Sequence, residues 1–169
     1  MKNRSLTYII ILLFLLILGT YYFYTPASFH GPSFSIKYNR LAHLEHNKIA
    51  DDPIEASGEV ILKRRNYEIK ITYIDEIYEV DPIKITNDLI SVIESVGTIY
   101  NKSNIKQEQY NNYTFYTTKM IFSNGEEEAY IKYAIHYNED KNSLYYFIYT
   151  TTNTPNEELE KILETFTIQ

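Results

Sequence analysis

The chain has 169 residues, no cysteine and a net charge of −6 at pH 7, from 16 basic and 22 acidic side chains. The lack of cysteine excludes disulfides and thiolate metal sites, so packing alone must stabilise the folded state. Because the net charge is negative, the composition also argues against a basic surface for nucleic acid or anionic lipid.

The N-terminus carries an uncharged stretch of 19 residues, from Leu6 to Tyr24, preceded by Lys2 and Arg4. A helix of that length reaches roughly 28 Å, close to the hydrocarbon thickness of a bilayer. We therefore predict that residues 1–24 form a cytoplasmic stub and a transmembrane helix, a single-pass signal-anchor in the cell membrane. The preceding cations place the N-terminus in the cytoplasm and the C-terminal domain outside. The alternative is an export signal cleaved after Ala27.

A linker and the start of a folded domain are predicted next. Residues 25–33, TPASFHGPS, combine Pro, Gly and Ser, which is typical of a linker. An extracytoplasmic domain then occupies residues 34–169. It opens with FSIKYN, whose alternating apolar and polar side chains predict a half-buried strand. The segment from Arg40 to Gly58 is polar and irregular.

The middle of the chain changes from strand to helical periodicity. Alternation predicts strands over Glu59 to Lys63 and Tyr67 to Asp75, joined by a basic turn. Apolar residues then recur at helical spacing and predict an amphipathic helix from Thr86 to about Val96, ending near Gly97.

A three-stranded meander follows. Asn124-Gly125 lies between two long alternating runs and predicts a hairpin with a two-residue primed turn. Residues Tyr137 to Ser143 predict a second turn, and LYYFIYTTT predicts the third strand. Thr154, Pro155 and Glu157 then predict a capping box at the start of a closing helix. Four apolar residues lie on one face of that helix: Leu159, Ile162, Leu163 and Phe166.

These elements predict an α+β domain, in which helices cover an antiparallel sheet. Their order resembles the PsbP-like sandwich, on FSIKYN near the start, NNYTFYTTKMIF entering the meander and LEKILETFTI at the end. The resemblance implies a binding or assembly role, as in the better-known members of that family, and it brings no active-site residues with it.

Metal-capable side chains are concentrated in HLEHNKIADD, residues 43–52. His43 and His46 are three residues apart, so in a helical turn they would share one face. Together with Asp51, or with Asp52 in its place, they predict a site for Zn, Cu or Ni. The alternative is a solvated loop, since the four-residue histidine spacing of metalloproteases is missing.

The sequence has no nucleophile elbow, P-loop or glycine-rich cofactor fingerprint. We therefore predict a membrane-anchored extracytoplasmic binding domain without catalytic activity or cofactor. Its partner is an envelope protein or another envelope component, not nucleic acid. Two alternatives stay open. One is a metal-binding envelope protein that uses His43 and His46, and the other is a hydrolase whose carboxylates only the fold brings together.

Overall fold

Alternating apolar and polar side chains produce most of the observed elements. The computed structural model describes residues 2–48 and 57–169, with side chains over 9–47 and 57–169. The helices there are α1 (Lys2–Tyr24), α2 (Pro82–Glu94) and α3 (Glu158–Leu163). The strands there are β1 (Ala27–His30), β2 (Phe34–Tyr38), β3 (His43–Lys48), β4 (Gly58–Arg64), β5 (Tyr67–Ile74), β6 (Thr98–Tyr100), β7 (Lys106–Tyr110), β8 (Tyr113–Ser123), β9 (Glu128–Asn138), β10 (Ser143–Thr151) and β11 (Thr167–Ile168).

Two antiparallel sheets pack face to face. The main sheet has the order β3-β4-β5-β10-β9-β8-β6, with β7 also paired to β8, and the small sheet has the order β1-β2-β11. Phe34 and Ile36 of the small sheet belong to the same buried cluster as Ile71 and Phe147 of the main sheet. The core between the sheets therefore uses one face of each strand.

Helix α2 covers the opposite face of the main sheet. Its buried Ile90 packs with Met120 of β8 and with Ile131 and Tyr133 of β9. The next residue on β9, Ala134, belongs to the core between the sheets. Because successive strand residues point to opposite faces, β9 serves both layers.

The predicted α+β class is wrong, because the described chain is mostly antiparallel β-sheet. A second sheet, rather than helices alone, covers the inner face of the main sheet. The difference comes from short strands such as β1, β3 and β11, whose hydrogen-bond partners lie on other segments of the chain. Periodicity within one segment does not reveal such partners.

The predicted transmembrane, single-pass signal-anchor at residues 1–24 is also wrong. Crossing a bilayer takes about 20 consecutive, mainly apolar residues in one helix. Among the residues that the structure describes, no helix combines that length with that apolarity. Anchoring of the chain to a membrane through α1 therefore has no support.

Six of the predicted strands are confirmed, namely β2, β4, β5, β8, β9 and β10. The hairpin across Asn124-Gly125 is present, since Ser123 pairs with Glu128. Its two-residue turn is wrong, because four residues connect the strands. The Asn124 side-chain oxygen accepts hydrogen bonds from the backbone N–H groups of Glu126 and Glu127, at 3.0 and 2.9 Å. This side-chain cap stabilises the longer loop.

Both predicted helices of the domain exist, but their first residues differ from the prediction. Helix α2 begins at Pro82, because the Asp81 carboxylate accepts a 2.9 Å hydrogen bond from the N–H of Ile83. Helix α3 begins at Glu158 and not at the predicted capping box, and the Asn156 side chain accepts from the N–H of Glu158. The four apolar residues predicted for its inner face are all buried.

The segment predicted as a linker, residues 25–33, contains strand β1. Ala27 pairs with Tyr38 and His30 with Ser35, so this segment belongs to the small sheet. The proposed division of the chain at residues 24 and 33 stays a prediction.

Gly58 gives a direct test of the packing between β4 and β5. A Cβ at this position would lie 2.8 Å from Cε1 of the Tyr73 ring and closer still to its hydroxyl. Tyr73 is buried and cannot move aside without opening the core. We expect Gly58→Ala to lower the free energy of unfolding by about 1–3 kcal/mol in chemical denaturation.

The matched control is Gly19→Ala, where the added methyl would meet no atom of another segment within 4 Å. Because alanine favours a helix, this change should not lower the unfolding midpoint of the sandwich. Equal midpoints for Gly58→Ala and the wild type would contradict the tight packing of Tyr73.

Candidate functional site

The predicted metal ligands His43 and His46 lie on strand β3, not in a helical turn. His46 places Nε2 3.0 Å from the Tyr73 hydroxyl, and its ring lies 5.3 Å from that of Phe29 on the inner face. His43 is exposed and lies 3.6 Å from the Glu45 carboxylate. Residues three apart on a strand point to opposite faces, so the two histidines do not converge.

Asp51, the third predicted ligand, lies outside the described residues, as does Asp52. Within the described parts of the chain, no group of three or more His, Asp or Glu side chains has an arrangement that could hold a metal ion. The metal site therefore stays a prediction.

The fold brings two carboxylates to Lys132. Its ammonium lies 2.7 Å from Glu160 of α3 and 3.9 Å from Glu108 of β7. The Tyr110 hydroxyl donates a 3.0 Å hydrogen bond to Glu108. Lys132 is largely buried, and its ammonium faces both carboxylates. The network therefore links α3 to strands β7 and β9 of the main sheet.

His136 lies in an aromatic box on β9. Its Nδ1 donates a 2.9 Å hydrogen bond to the carbonyl oxygen of Thr114, which fixes the proton on that nitrogen. Nε2 is buried, and none of the described residues bonds to it. Four rings enclose the imidazole: Tyr113, Phe115, Tyr145 and Phe166. Burial lowers the pKa of His136, against a smaller opposing effect of the Thr114 hydrogen bond.

A cavity of about 520 Å³ lies where the end of α1 meets the sandwich. It is built by the C-terminal end of α1, the turn after β2, and α3 with the residues that follow it. Its aromatic and apolar walls are Phe23, Tyr24, Pro26, Tyr38 and Ile162. Its charged side chains are Lys37, Arg40, Lys161, Glu158 and Glu164.

Arg40 fastens the end of α1 at this cavity. Its Nε donates a 3.2 Å hydrogen bond to the carbonyl oxygen of Thr25. The guanidinium carbon lies 4.4 Å from the centre of the Tyr22 ring, a cation–π distance. Thr165 supports the other wall, because its hydroxyl accepts a 2.9 Å hydrogen bond from the N–H of Lys37.

A second candidate surface lies on the outer side of α2. Val92 lies near the end of α2 and Val96 lies two residues beyond it, and their side chains are 65% and 68% exposed. Tyr100 of the neighbouring strand β6 is 46% exposed but points away from α2, because the preceding Ile99 packs into the core beneath that helix. We call Val92 and Val96 the α2 strip. Apolar side chains that fold packing leaves exposed are candidates for a contact surface.

Sequence reasoning missed both the cavity and the α2 strip. The cavity residues come from three separate segments, and nothing in the sequence indicates that these segments meet. The strip did leave a signal, because Val92 and Val96 follow the apolar spacing that predicts α2. With Thr86 and Ile90 buried, those two valines extend beyond what the sheet can cover.

No protein-family model and no curated protein sequence matches this chain. Solved structures do match in fold. LpqN of Mycobacterium tuberculosis, described as involved in cell envelope biogenesis, aligns with a TM-score of 0.55 and 11% identity. The alignment covers 86% of this chain and 90% of LpqN.

A protein of Bacteroides thetaiotaomicron also aligns, with a TM-score of 0.55 and 14% identity over 84% of this chain. The alignment spans 48% of the Bacteroides protein, about half its length. Both structures support a mostly-β sandwich, and at these identities they establish the fold alone. The PsbP-like assignment is not confirmed.

The enclosure of His136 predicts a loss of stability in acid. Because the pKa is lowered in the folded state, the neutral ring stabilises the fold above about pH 6.5, the ordinary value for histidine. That contribution is lost as the pH falls through the folded pKa, with a slope of up to about 1.4 kcal/mol per pH unit. Urea denaturation between pH 8 and pH 5 measures it.

His136→Asn should lower stability at every pH and remove this part of the pH dependence. His30→Asn, at an exposed position, is the control and should keep the wild-type profile. The same slope in His136→Asn as in the wild type would show that another group causes the acid sensitivity.

Proposed function

We propose that this chain is a non-catalytic domain that acts outside the cytoplasm and binds a protein partner in the cell envelope. The observation that carries this proposal is the alignment with LpqN over nearly the full length of both chains. LpqN is described as involved in envelope biogenesis, and this chain has the same sandwich architecture. LpqN supports this role through the likeness of its fold to that of this chain.

The arrangement of the elements also supports a PsbP-like sandwich as the finer description of the fold. Strand β2 lies near the start of the sandwich, β8 enters the meander, and the chain ends with α3 and with β11 against β2. Members of that family act as binding or assembly subunits, which agrees with the proposed role.

The surface we assign to the partner is the α2 strip. Its two valines offer apolar contact area at the end of α2, just before the three-residue edge strand β6. Apolar side chains that fold packing leaves exposed bury their area when a partner docks. The partner we propose is a protein with a complementary apolar surface.

Metal binding through His43, His46 and Asp51 and hydrolysis by carboxylates stay predictions. Tyr73 and Phe29 already contact His46, and Lys132 already lies within 4.0 Å of both Glu108 and Glu160. Neither arrangement favours these alternatives over a binding role.

A single introduced cysteine tests location and surface together, because the chain has none of its own. Val96→Cys places a thiol in the α2 strip, and Thr154→Cys places one at an exposed position in the loop before α3. In intact cells, both variants should react with a membrane-impermeant maleimide. A bifunctional impermeant reagent should then give one discrete protein adduct from Val96→Cys and none from Thr154→Cys.

Labelling of both thiols only after lysis would contradict the extracytoplasmic location. The same adduct pattern from both positions, or no adduct from either, would contradict the α2 strip as the docking surface.

A further inference from the structure

Among the residues that the structure describes, Arg40 has no anionic partner at the cavity beneath α1. The side chain is partly buried, and its single hydrogen bond to the described residues uses Nε. Both terminal Nη groups lack acceptors there, and no described carboxylate oxygen lies within 4.0 Å of the guanidinium. A partly buried cation in this state loses hydration without gaining a counter-ion, so an anion that reaches it is stabilised.

Lys37 supplies a second cation to the same cavity. It is exposed on β2 and likewise has no carboxylate within 4.0 Å among the described residues. The Nη groups of an arginine form a planar fork that binds phosphate or carboxylate in pairs, and a lysine adds a point charge. Arg40 and Lys37 together therefore fit one small anionic group.

The acidic residues of the cavity limit the charge of that group. Glu158 is already engaged, because Lys161 lies 3.0 Å from it and the Tyr67 hydroxyl donates to it at 3.2 Å. Glu164 is exposed at the rim, with no described cation within 4.0 Å. Its charge opposes a bound anion and reduces the net attraction of Arg40 and Lys37.

The remaining walls are apolar and continue onto α1. Phe23, Tyr24, Pro26 and Tyr38 line the cavity beside the two cations. Beyond them α1 exposes a row of large aliphatic side chains, including Leu15 and Leu18. At about 1.5 Å per residue, Leu18 lies roughly 9 Å from the Tyr24 end, within reach of a short alkyl chain.

From this arrangement we propose that the cavity binds an anionic amphiphile, with a phosphate or carboxylate head on Arg40 and Lys37. Its apolar tail lies against the aromatic wall and the end of α1. This site lies apart from the α2 strip and does not depend on the proposed protein partner.

Three probes separate the parts of this ligand. Decyl phosphate carries head and tail, inorganic phosphate carries the head alone, and decyl maltoside carries the tail without charge. Each is titrated into the full-length chain below its micelle concentration. NMR follows the Arg40 Nε–H signal, with Arg64 and Arg65 as internal controls. Decyl phosphate should shift the Arg40 signal saturably and bind at least about tenfold more tightly than either other probe.

Equal affinity for inorganic phosphate would overturn the amphiphile and leave a simple anion site. Equal affinity for decyl maltoside would overturn the role of charge. No saturable shift with decyl phosphate would overturn the site altogether.

Charge variants test the assigned residues, with binding followed on the backbone amide signal of Thr165 in the cavity wall, which every variant retains. Lys37→Gln and Arg40→Gln should each weaken decyl phosphate binding about tenfold or more, because each removes a charged contact with the head. Lys84→Gln removes an exposed charge on α2, away from the cavity, and should leave the affinity unchanged. Unchanged affinity in both Lys37→Gln and Arg40→Gln would overturn the assignment.

Glu164→Gln gives a result in the opposite direction that misfolding cannot imitate. Removing the rim carboxylate should tighten decyl phosphate binding severalfold, and the gain should shrink as salt is added. Weaker or unchanged binding at low salt would contradict the placement of the head beside Glu164.

Discussion

The buried ring of Phe166 is the contact on which the sandwich depends. It is fully buried and lies at the point where the C-terminal segment meets both sheets. The ring packs at centroid distances of 5.2 to 5.9 Å against Phe34, Tyr113, Phe115, Tyr145 and Phe147. All of these pairs except that with Phe34 are edge-to-face, and such contacts add about 0.5–1.5 kcal/mol each beyond the area that they bury. In a chain without disulfides, such a cluster supplies the cross-connection that covalent bonds supply elsewhere.

This contact also determines where the candidate ligand site forms. With Phe166 in place, Thr167 and Ile168 pair with β2, and Thr165 bonds to the backbone of Lys37. The residues after α3 are thereby held beside the turn that carries Arg40. Arg40 and Lys37 lie there beside an aromatic wall. Because the net charge of the chain is negative, any attraction for an anion is local to the cavity.

Strands whose side chains alternate against the core could be predicted from the sequence, and β5 and β10 are the clearest cases. Short strands such as β1 and β11 could not, because their pairing depends on β2. Strand β7, KQEQY, is polar on both faces and gave no period-two signal. Asp81-Pro82 indicates the start of α2, since aspartate before proline is a common helix start. The prediction followed the apolar spacing instead and began the helix at Thr86. The histidines of β3 fell in a segment predicted to be irregular, from Arg40 to Gly58, because strand pairing with β4 leaves no signal within the segment itself.

The site was less predictable than the fold. Lys37, Arg40 and Tyr24 are unremarkable in their own segments, and only the docking of α3 and the end of α1 places them together. The likeness to solved structures is a likeness of architecture, and the cavity is formed by this chain's own side chains.

Amide hydrogen exchange in Phe166→Leu tests the central contact most directly. Leucine keeps an apolar side chain but loses the ring edges that touch both sheets. We expect the amides of β2 and β11, including those of Lys37 and Ile168, to lose about tenfold or more of their protection, while those of β9 and β10 retain it. Wild-type protection throughout β2 and β11 would contradict the dependence of the small sheet on Phe166.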